Sequence, residues 1–206
     1  MQIASANING SMRSFLLTLS ALFFAACSGN PVVQLQTDQG VIEIEVYEDK
    51  APKSAADFLY YVDEGLYDGQ GFYRVVRPDN DNLDMGMNIV QGGRLDLARL
   101  MPEVDHEPTS QTGLTHHDGA VSLARDAPDT ASAAYFFVSI GENKFLDHGG
   151  TRNPDGQGYA VFGQVTKGMD IVRAIQARPT DVNGHPEMPP HQMLAQPVTI
   201  ISAKRK

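Results

Sequence analysis

The sequence predicts a mainly β protein, a closed eight-stranded antiparallel β-barrel capped by two α-helices. Short runs that alternate apolar and polar residues recur along the chain, bounded by glycine, proline and asparagine. The first two form a hairpin. Only two stretches carry the wider apolar spacing of a helix. Eight short strands with so little helix suit a sheet that closes on itself and so leaves no unpaired edge.

The elements follow in order. "VVQLQT" (Val32–Thr37) and "VIEIEVY" (Val41–Tyr47) are strands joined by Asp38-Gln39-Gly40. In the second, Ile42, Ile44 and Val46 face inward while Glu43 and Glu45 face out. "APKSAADFLYYVDEG" is a helix, with Pro52 in its first turn, Phe58, Leu59 and Val62 on its apolar face and Gly65 as a stop. Further strands are expected over 72–76, 88–91, 120–124, 135–140, 160–165 and 198–203. The second helix lies in "KGMDIVRAIQA", where Met169, Val172 and Ile175 form one stripe. Both helices are expected to cover the barrel's open ends. The proline-rich stretch from Arg178 to Pro197 reads as a long connection without regular structure.

One strand carries a charge where none is expected. In "FYRVV", strict alternation places Phe72, Arg74 and Val76 on one face and Tyr73 and Val75 on the other. A guanidinium does not lose its proton in a protein, so Arg74 needs solvent, a partner or a ligand. As an exposed residue it would add little to folding. The formal net charge of −9 argues against nucleic acid as a partner, because a phosphate backbone calls for a basic face. The only basic cluster is the tail Lys204-Arg205-Lys206, which reads as a solvated terminus.

The chain has a single cysteine, and its setting is informative. In "MRSFLLTLSALFFAAC", Arg13 precedes an uncharged run from Phe15 to Ala26, the length of a signal-peptide apolar region and too short to span a bilayer. Ala25 and Ala26 stand directly before Cys27. The pattern resembles a bacterial lipobox, although Phe24 stands where leucine is usual. The resemblance implies a cleaved signal peptide over 1–26, lipidation at Cys27, a short tether over 27–31 and one domain over 32–206. A simple secretory signal with an incidental cysteine is the alternative. The implied location is the cell envelope, a membrane-anchored lipoprotein facing the periplasm, with Ser28 after the cysteine favouring the outer membrane.

Other chemistries lack their motifs. Tandem His116-His117 with Asp118 suggests a metal-dependent hydrolase, but adjacent residues in an extended segment point to opposite sides. There is no GxSxG nucleophile elbow, no GxGxxG and no P-loop. "NPDGQG" (Asn153–Gly158) does not open a helix and reads as a turn. No metal and no cofactor are expected.

Four segments together are specific: "GFYRVV" (Gly71–Val76), "IVQGG" (Ile89–Gly93), "SLARDAPDTASAAYFFVSIGENKFLD" (Ser122–Asp147) and "GYAVFGQVTKGMDIV" (Gly158–Val172). In this order they resemble the cyclophilin-type peptidyl-prolyl cis–trans isomerases over nearly the whole domain. The resemblance implies an isomerase of X-Pro bonds that assists protein folding, with proline-containing polypeptides as partners and a monomeric state. Arg74 matches the family's catalytic arginine and Gln91 the glutamine of its QGG segment. Phe137 matches the floor of the proline pocket. Ile89, Leu146 and Phe162 match its apolar walls. Phe145 and Tyr159 stand where many eukaryotic members have tryptophan and histidine. Ala124 and Arg125 correspond to a substrate-contacting edge.

Parity supports the transfer, since Tyr135 and Phe137 share a face, as do Ile89 and Gln91, while Phe136 points into the barrel. Three departures stand out. Asn88 occupies the place of an aromatic pocket wall, Tyr135 replaces a glutamine that contacts the substrate backbone, and "RPDNDNLDMG" (Arg77–Gly86) is longer than the family's turn. A shallower or differently specific pocket is expected. The competing expectation is a catalytically weak chaperone that grips proline-containing segments in the envelope.

Overall fold

Alternation in the first hairpin produces the packing it predicts. The computed structural model describes residues 29–93, 100–181 and 189–206. The expected signal peptide and Cys27 lie outside the described residues. Strands β1 (Val32–Thr37) and β2 (Gly40–Val46) pair antiparallel, with Val33 opposite Ile44 and Leu35 opposite Ile42, all four fully buried. Glu43 and Glu45 point the other way, and Glu43 meets Lys167 and Lys206.

The remaining strands are β3 (Gly71–Val76), β4 (Ile89–Gly93), β5 (Val104–Asp105), β6 (Ala120–Ala124), β7 (Thr130–Ser139), β8 (Ala160–Lys167) and β9 (Met193–Arg205). They hydrogen-bond in the order β4-β3-β9-β1-β2-β8-β6-β7, and β7 returns to β4. Eight antiparallel strands thus close a barrel, as expected. The two-residue β5 is an appendage on β7. Strand β9 begins at Met193, and Thr180 bridges Leu194, so the stretch expected to be structureless is partly sheet.

Among the described residues there are three helices where two were expected. They are α1 (Pro52–Asp63), α2 (Thr109–Thr112) and α3 (Met169–Gln176), with a 3₁₀ turn over Lys144–Leu146. The four-residue α2 is too short to show a helical period in sequence, and it ends at Gly113 in the left-handed conformation (φ 71°). Helix α1 drives Phe58 into the barrel, its ring 4.7 Å from that of Phe162 and 5.6 Å from Phe136. Helix α3 packs Val172 and Ile175 toward β2, β3 and β4.

Helix α1 is capped from a distance. Its N-cap, Ala51, has no side chain able to accept a hydrogen bond. Glu107, which lies two residues after β5, supplies the acceptor instead. Its carboxylate takes the backbone N–H of Lys53 (3.2 Å) and of Ser54 (2.8 Å) and the Ser54 hydroxyl (2.7 Å). A negative charge at a helix N-terminus also complements the macrodipole. Glu107→Ala is expected to destabilise the fold by about 2 kcal/mol, because it uncaps the helix and leaves the buried Ser54 hydroxyl without its acceptor. Urea unfolding of the two proteins measures this, and an unchanged midpoint would show that the cap is dispensable.

Candidate active site

A β-bulge aims Arg74 outward. Phe72 pairs with Gly92, but Arg74, not Tyr73, pairs with Gln91, so one residue of β3 is extra. Phe72 and Val75 therefore join the barrel interior, while Arg74 and Val76 lie on the outer face. Strict alternation had put Phe72 beside Arg74, and the bulge corrects this. Space is tight here. A Cβ on Gly92 would stand 2.6 Å from the Phe72 ring, and one on Gly93 2.2 Å from the Ala134 carbonyl oxygen. The two glycines after Gln91 let β4 lie close against its neighbours.

Arg74 is partly buried and held by two glutamines. It donates from Nη1 to Gln91 Oε1 (2.8 Å), and from Nε (3.0 Å) and Nη2 (2.6 Å) to Gln192 Oε1. Gln192 is fully buried and is itself fixed, since its Nε2 donates to the Asn80 carbonyl and its own carbonyl accepts Val75 N–H. Burial pulls the Arg74 pKa down, but a guanidinium remains charged. Three of its five N–H groups have partners among the described residues, and both clasping groups are neutral amides. Gln192 was not found from sequence. It lies 118 residues from Arg74 in a proline-rich stretch where no local pattern marks it. Three hydrogen bonds to buried or half-buried partners also make Arg74 structural in part, contrary to the exposed residue expected.

Beside Arg74 lies a second apolar cluster, separate from the barrel interior. It comprises Val76, Met87, Ile89, Phe137 and Leu146, with Phe145 and Tyr159 packed on its edge. Barrel closure builds it, because β4–β7 pairing sets Gln91 opposite Phe137 and Ile89 opposite Ser139. The Phe137 ring meets Tyr159 edge-on at 5.3 Å and stacks on His116 at 5.8 Å. Asn143, fully buried, anchors the 3₁₀ turn that carries Phe145 and Leu146. Its side chain accepts Asn88 N–H and donates to the carbonyls of Asn88 and Ile140.

Several expected site residues stand elsewhere. Phe162 is fully buried in the barrel interior against Phe58, not in the Phe137 cluster, because the inward face of β8 carries it. Tyr135 shares a strand with Phe137 but packs against the interior cluster. Ala124 ends β6, half-buried. Arg125 is committed to the turn 155–158, donating to Gly158 O (2.8 Å) and Asp155 (2.7 Å), with its guanidinium 5.7 Å from the Tyr159 ring centroid. It shapes the edge through Tyr159. Asn88 turns its side chain to Gln176, and Met87 enters the cluster instead. Asp118 pairs with Arg173.

His116 is fully buried, and its Nδ1 lies 2.7 Å from Asp147 Oδ1, which also accepts the His116 backbone N–H (3.0 Å). Burial holds its pKa below the usual histidine value, and hydrogen bonding and attraction to Asp147 only partly oppose this. The neutral ring, Nδ1–H toward Asp147, is the underside of the Phe137 floor.

The family model described as "Cyclophilin type peptidyl-prolyl cis-trans isomerase/CLD" matches residues 32–204. The peptidyl-prolyl cis-trans isomerase cyp18 of Streptomyces antibioticus is 35% identical over 175 residues, which is 84% of this chain and 96% of that protein. The peptidyl-prolyl cis-trans isomerase of Acinetobacter baylyi is 33% identical, covering 95% of this chain and 96% of its own. Peptidyl-prolyl cis-trans isomerase B of Escherichia coli K12 is 31% identical, with 82% and 99% covered. A solved cyclophilin-type isomerase of Cryptosporidium parvum shares the fold with a TM-score of 0.63 at 18% identity, covering 86% of this chain and 98% of its own.

The buried His116 generates a pH prediction. A histidine whose folded pKa is depressed takes up a proton more readily when unfolded, so stability is lost as pH falls below about 6.5. Asp147 and His117 are the charged or titratable groups acting on it. Urea unfolding at pH 7.5 and pH 5 is expected to show a smaller acid loss in His116→Asn than in wild type, by up to about 1.4 kcal/mol per pH unit. Equal losses in both would assign the acid sensitivity to other groups.

Proposed function

The chain belongs to the cyclophilin-type peptidyl-prolyl cis–trans isomerase family, and we propose that Arg74, Gln91 and the Phe137 cluster are the centre at which it turns X-Pro bonds. It is a peptidyl-prolyl cis–trans isomerase. The observation that carries the assignment of the site is a fixed cation beside a buried apolar cluster that holds an aromatic ring, Phe137. Arg74 is clasped by two glutamine oxygens, two residues before Val76 on the face that bears the cluster.

The chemistry follows from that arrangement. The X-Pro amide resists rotation because its nitrogen lone pair is delocalised, with a barrier of about 18–20 kcal/mol. No covalent bond breaks, so neither nucleophile nor metal is needed. Phe137, Ile89, Met87 and Leu146 hold the proline ring while the preceding carbonyl swings. As the nitrogen pyramidalises, an N–H of Arg74 donates to it, localising the lone pair and weakening the C–N double-bond character. Gln91 fixes the guanidinium and offers its amide to the substrate backbone. Among the described residues the hydrogen-bond partners of the guanidinium are neutral amides, so no carboxylate occupies its N–H groups, and the donor is organised before substrate arrives.

We also propose that the chain is exported and tethered to the cell envelope through acylated Cys27, serving proline-containing segments of envelope proteins. The sequence pattern of residues 12–27 supports this, and Ser28 favours the outer membrane. Several acyl chains on one cysteine hold a protein firmly to a bilayer, whereas one does so only marginally. In cell fractionation, Cys27→Ser is expected to move the protein from the membrane to the soluble fraction. A wild-type protein already soluble without detergent would end this reading.

Arg74→Ala is expected to lower kcat/KM on an X-Pro peptide by about 100-fold, or ~2.7 kcal/mol of transition-state stabilisation. Arg74→Lys rescues little, because a point charge cannot make the planar three-bond clasp. Peptide binding falls much less than turnover, since the apolar pocket remains. Stability drops by about 1–2 kcal/mol, because buried Gln192 loses its donors, so activity is to be compared at equal folded fraction. An alanine variant as fast as wild type would remove Arg74 from the mechanism. A protein that only gripped proline segments would show binding without rate acceleration.

A further inference from the structure

The segment Arg77–Gly86 is organised around one carboxylate. Asp81 accepts the backbone N–H groups of Leu83 (3.3 Å), Met85 (3.0 Å) and Met87 (3.0 Å), which winds the segment tightly about its side chain. The same carboxylate receives Arg152 Nη1 at 2.6 Å, and the two side chains are 0% and 8% exposed. Arg152 also donates from Nη2 to Asn82, and its backbone N–H donates to the Phe145 carbonyl (3.2 Å). One buried ion pair therefore ties the segment that delivers Met87 to the turn that delivers Phe145 and Leu146. These are two sides of the Phe137 cluster. Burial alone would raise the Asp81 pKa, but the Met87 N–H, Arg152 and the other N–H donors outweigh it and hold the carboxylate ionised. Both members also act electrostatically on Arg74 with opposite signs.

We propose that Asp81 and Arg152 are positioning residues for the reaction, a buried clamp that sets the width of the proline pocket by holding Met87 and the Phe145-Leu146 turn at a fixed separation. The proposal rests on the reading that the Phe137 cluster binds the proline ring. It goes beyond that reading by assigning ring affinity to two polar residues that do not line the pocket. Met87 cannot shift outward without breaking its own N–H bond to Asp81. The 144–152 turn cannot shift without pulling Arg152 away. Ring binding is the step that a loosened pocket weakens. Arg74 stays held by Gln91 on β4 and by Gln192, which keeps its Val75 N–H bond even where Asn80 beside Asp81 shifts, so the effect falls on KM far more than on kcat. Because both residues act through one contact, removing either removes the same function.

The test compares wild type with Arg152→Gln, Asp81→Asn, the double variant, Arg152→Lys and Phe137→Ala, each assayed on one X-Pro peptide at a temperature where it is fully folded. Each clamp variant is expected to raise KM by about fivefold to tenfold with kcat within about twofold of wild type. The double variant is expected to be no worse than the poorer single one, as for two residues sharing one interaction. Arg152→Lys, which keeps the ion pair, is expected to recover most of the loss and keeps the test open if Arg152→Gln does not fold. Unchanged KM in folded Arg152→Gln, or a double variant equal to the product of the singles, overturns the clamp. Losses confined to kcat overturn it as well. If Phe137→Ala also leaves KM unchanged, the failure belongs to the pocket reading. If Phe137→Ala raises KM and the clamp variants do not, it belongs to the clamp alone.

Discussion

The pairing of β4 with β7 is the contact on which the site depends. A twisted sheet of eight strands keeps two exposed edges unless its outer members meet, and here they do. Closure gives the barrel its interior and also creates a seam on the outside. Gln91 from one strand stands against Phe137 from the other, and the polar and apolar halves of the site are joined by backbone hydrogen bonds. Gly93 follows from the same demand, since a Cβ there would meet the Ala134 backbone of β7, while Gly92 is kept bare by the Phe72 ring of β3 on the other side. The site is rigid because its components belong to the closure itself.

Around the seam, buried polar groups do what apolar packing cannot. Gln192, Asn143, Asp81 and Glu107 are each largely withdrawn from water, and each makes two or more hydrogen bonds, at least one of them to a distant part of the chain. A buried polar group left unpaired is costly, so these residues accept few alternative arrangements. They fix loops that carry little apolar surface of their own. Arg74 is the extreme case, a cation drawn out of water and held by neutral oxygens only. Its cost of burial is partly met by three good hydrogen bonds.

The barrel was legible because its signals are local. Val32–Thr37 and Ala120–Ala124 have the expected boundaries, α1 carries Pro52 at its start as expected, and α3 falls within the stretch where a helix was expected. The family motifs pointed to Arg74, Gln91, Ile89, Phe137, Leu146, Phe145 and Tyr159, which the fold brings together. What was missed is non-local or too short to have a period. Alternation counts residues and not hydrogen bonds, so the bulge at Tyr73 is invisible to it. Gln192 becomes meaningful only when β9 docks beside β3. The exchange of Asn88 for Met87 in the cluster depends on Asn143 and Gln176, 55 and 88 residues away from Asn88. Phe162 was carried over from the resemblance, and the interior packing of β8 overrides it.

The place of β9 in the sheet has a consequence for biosynthesis. Strand β9, the last among the described residues, lies between β1 and β3, inside the sheet order and not at an end. Until those C-terminal residues have left the ribosome, β1 and β3 face a gap. The barrel cannot close, and Arg74 lacks Gln192. The clasp on Arg74 therefore forms only once residues 192–205 dock, in a step with long sequence separation. A chain that stops short of residue 192 holds the residues of the Phe137 cluster but leaves Arg74 without two of its three hydrogen bonds.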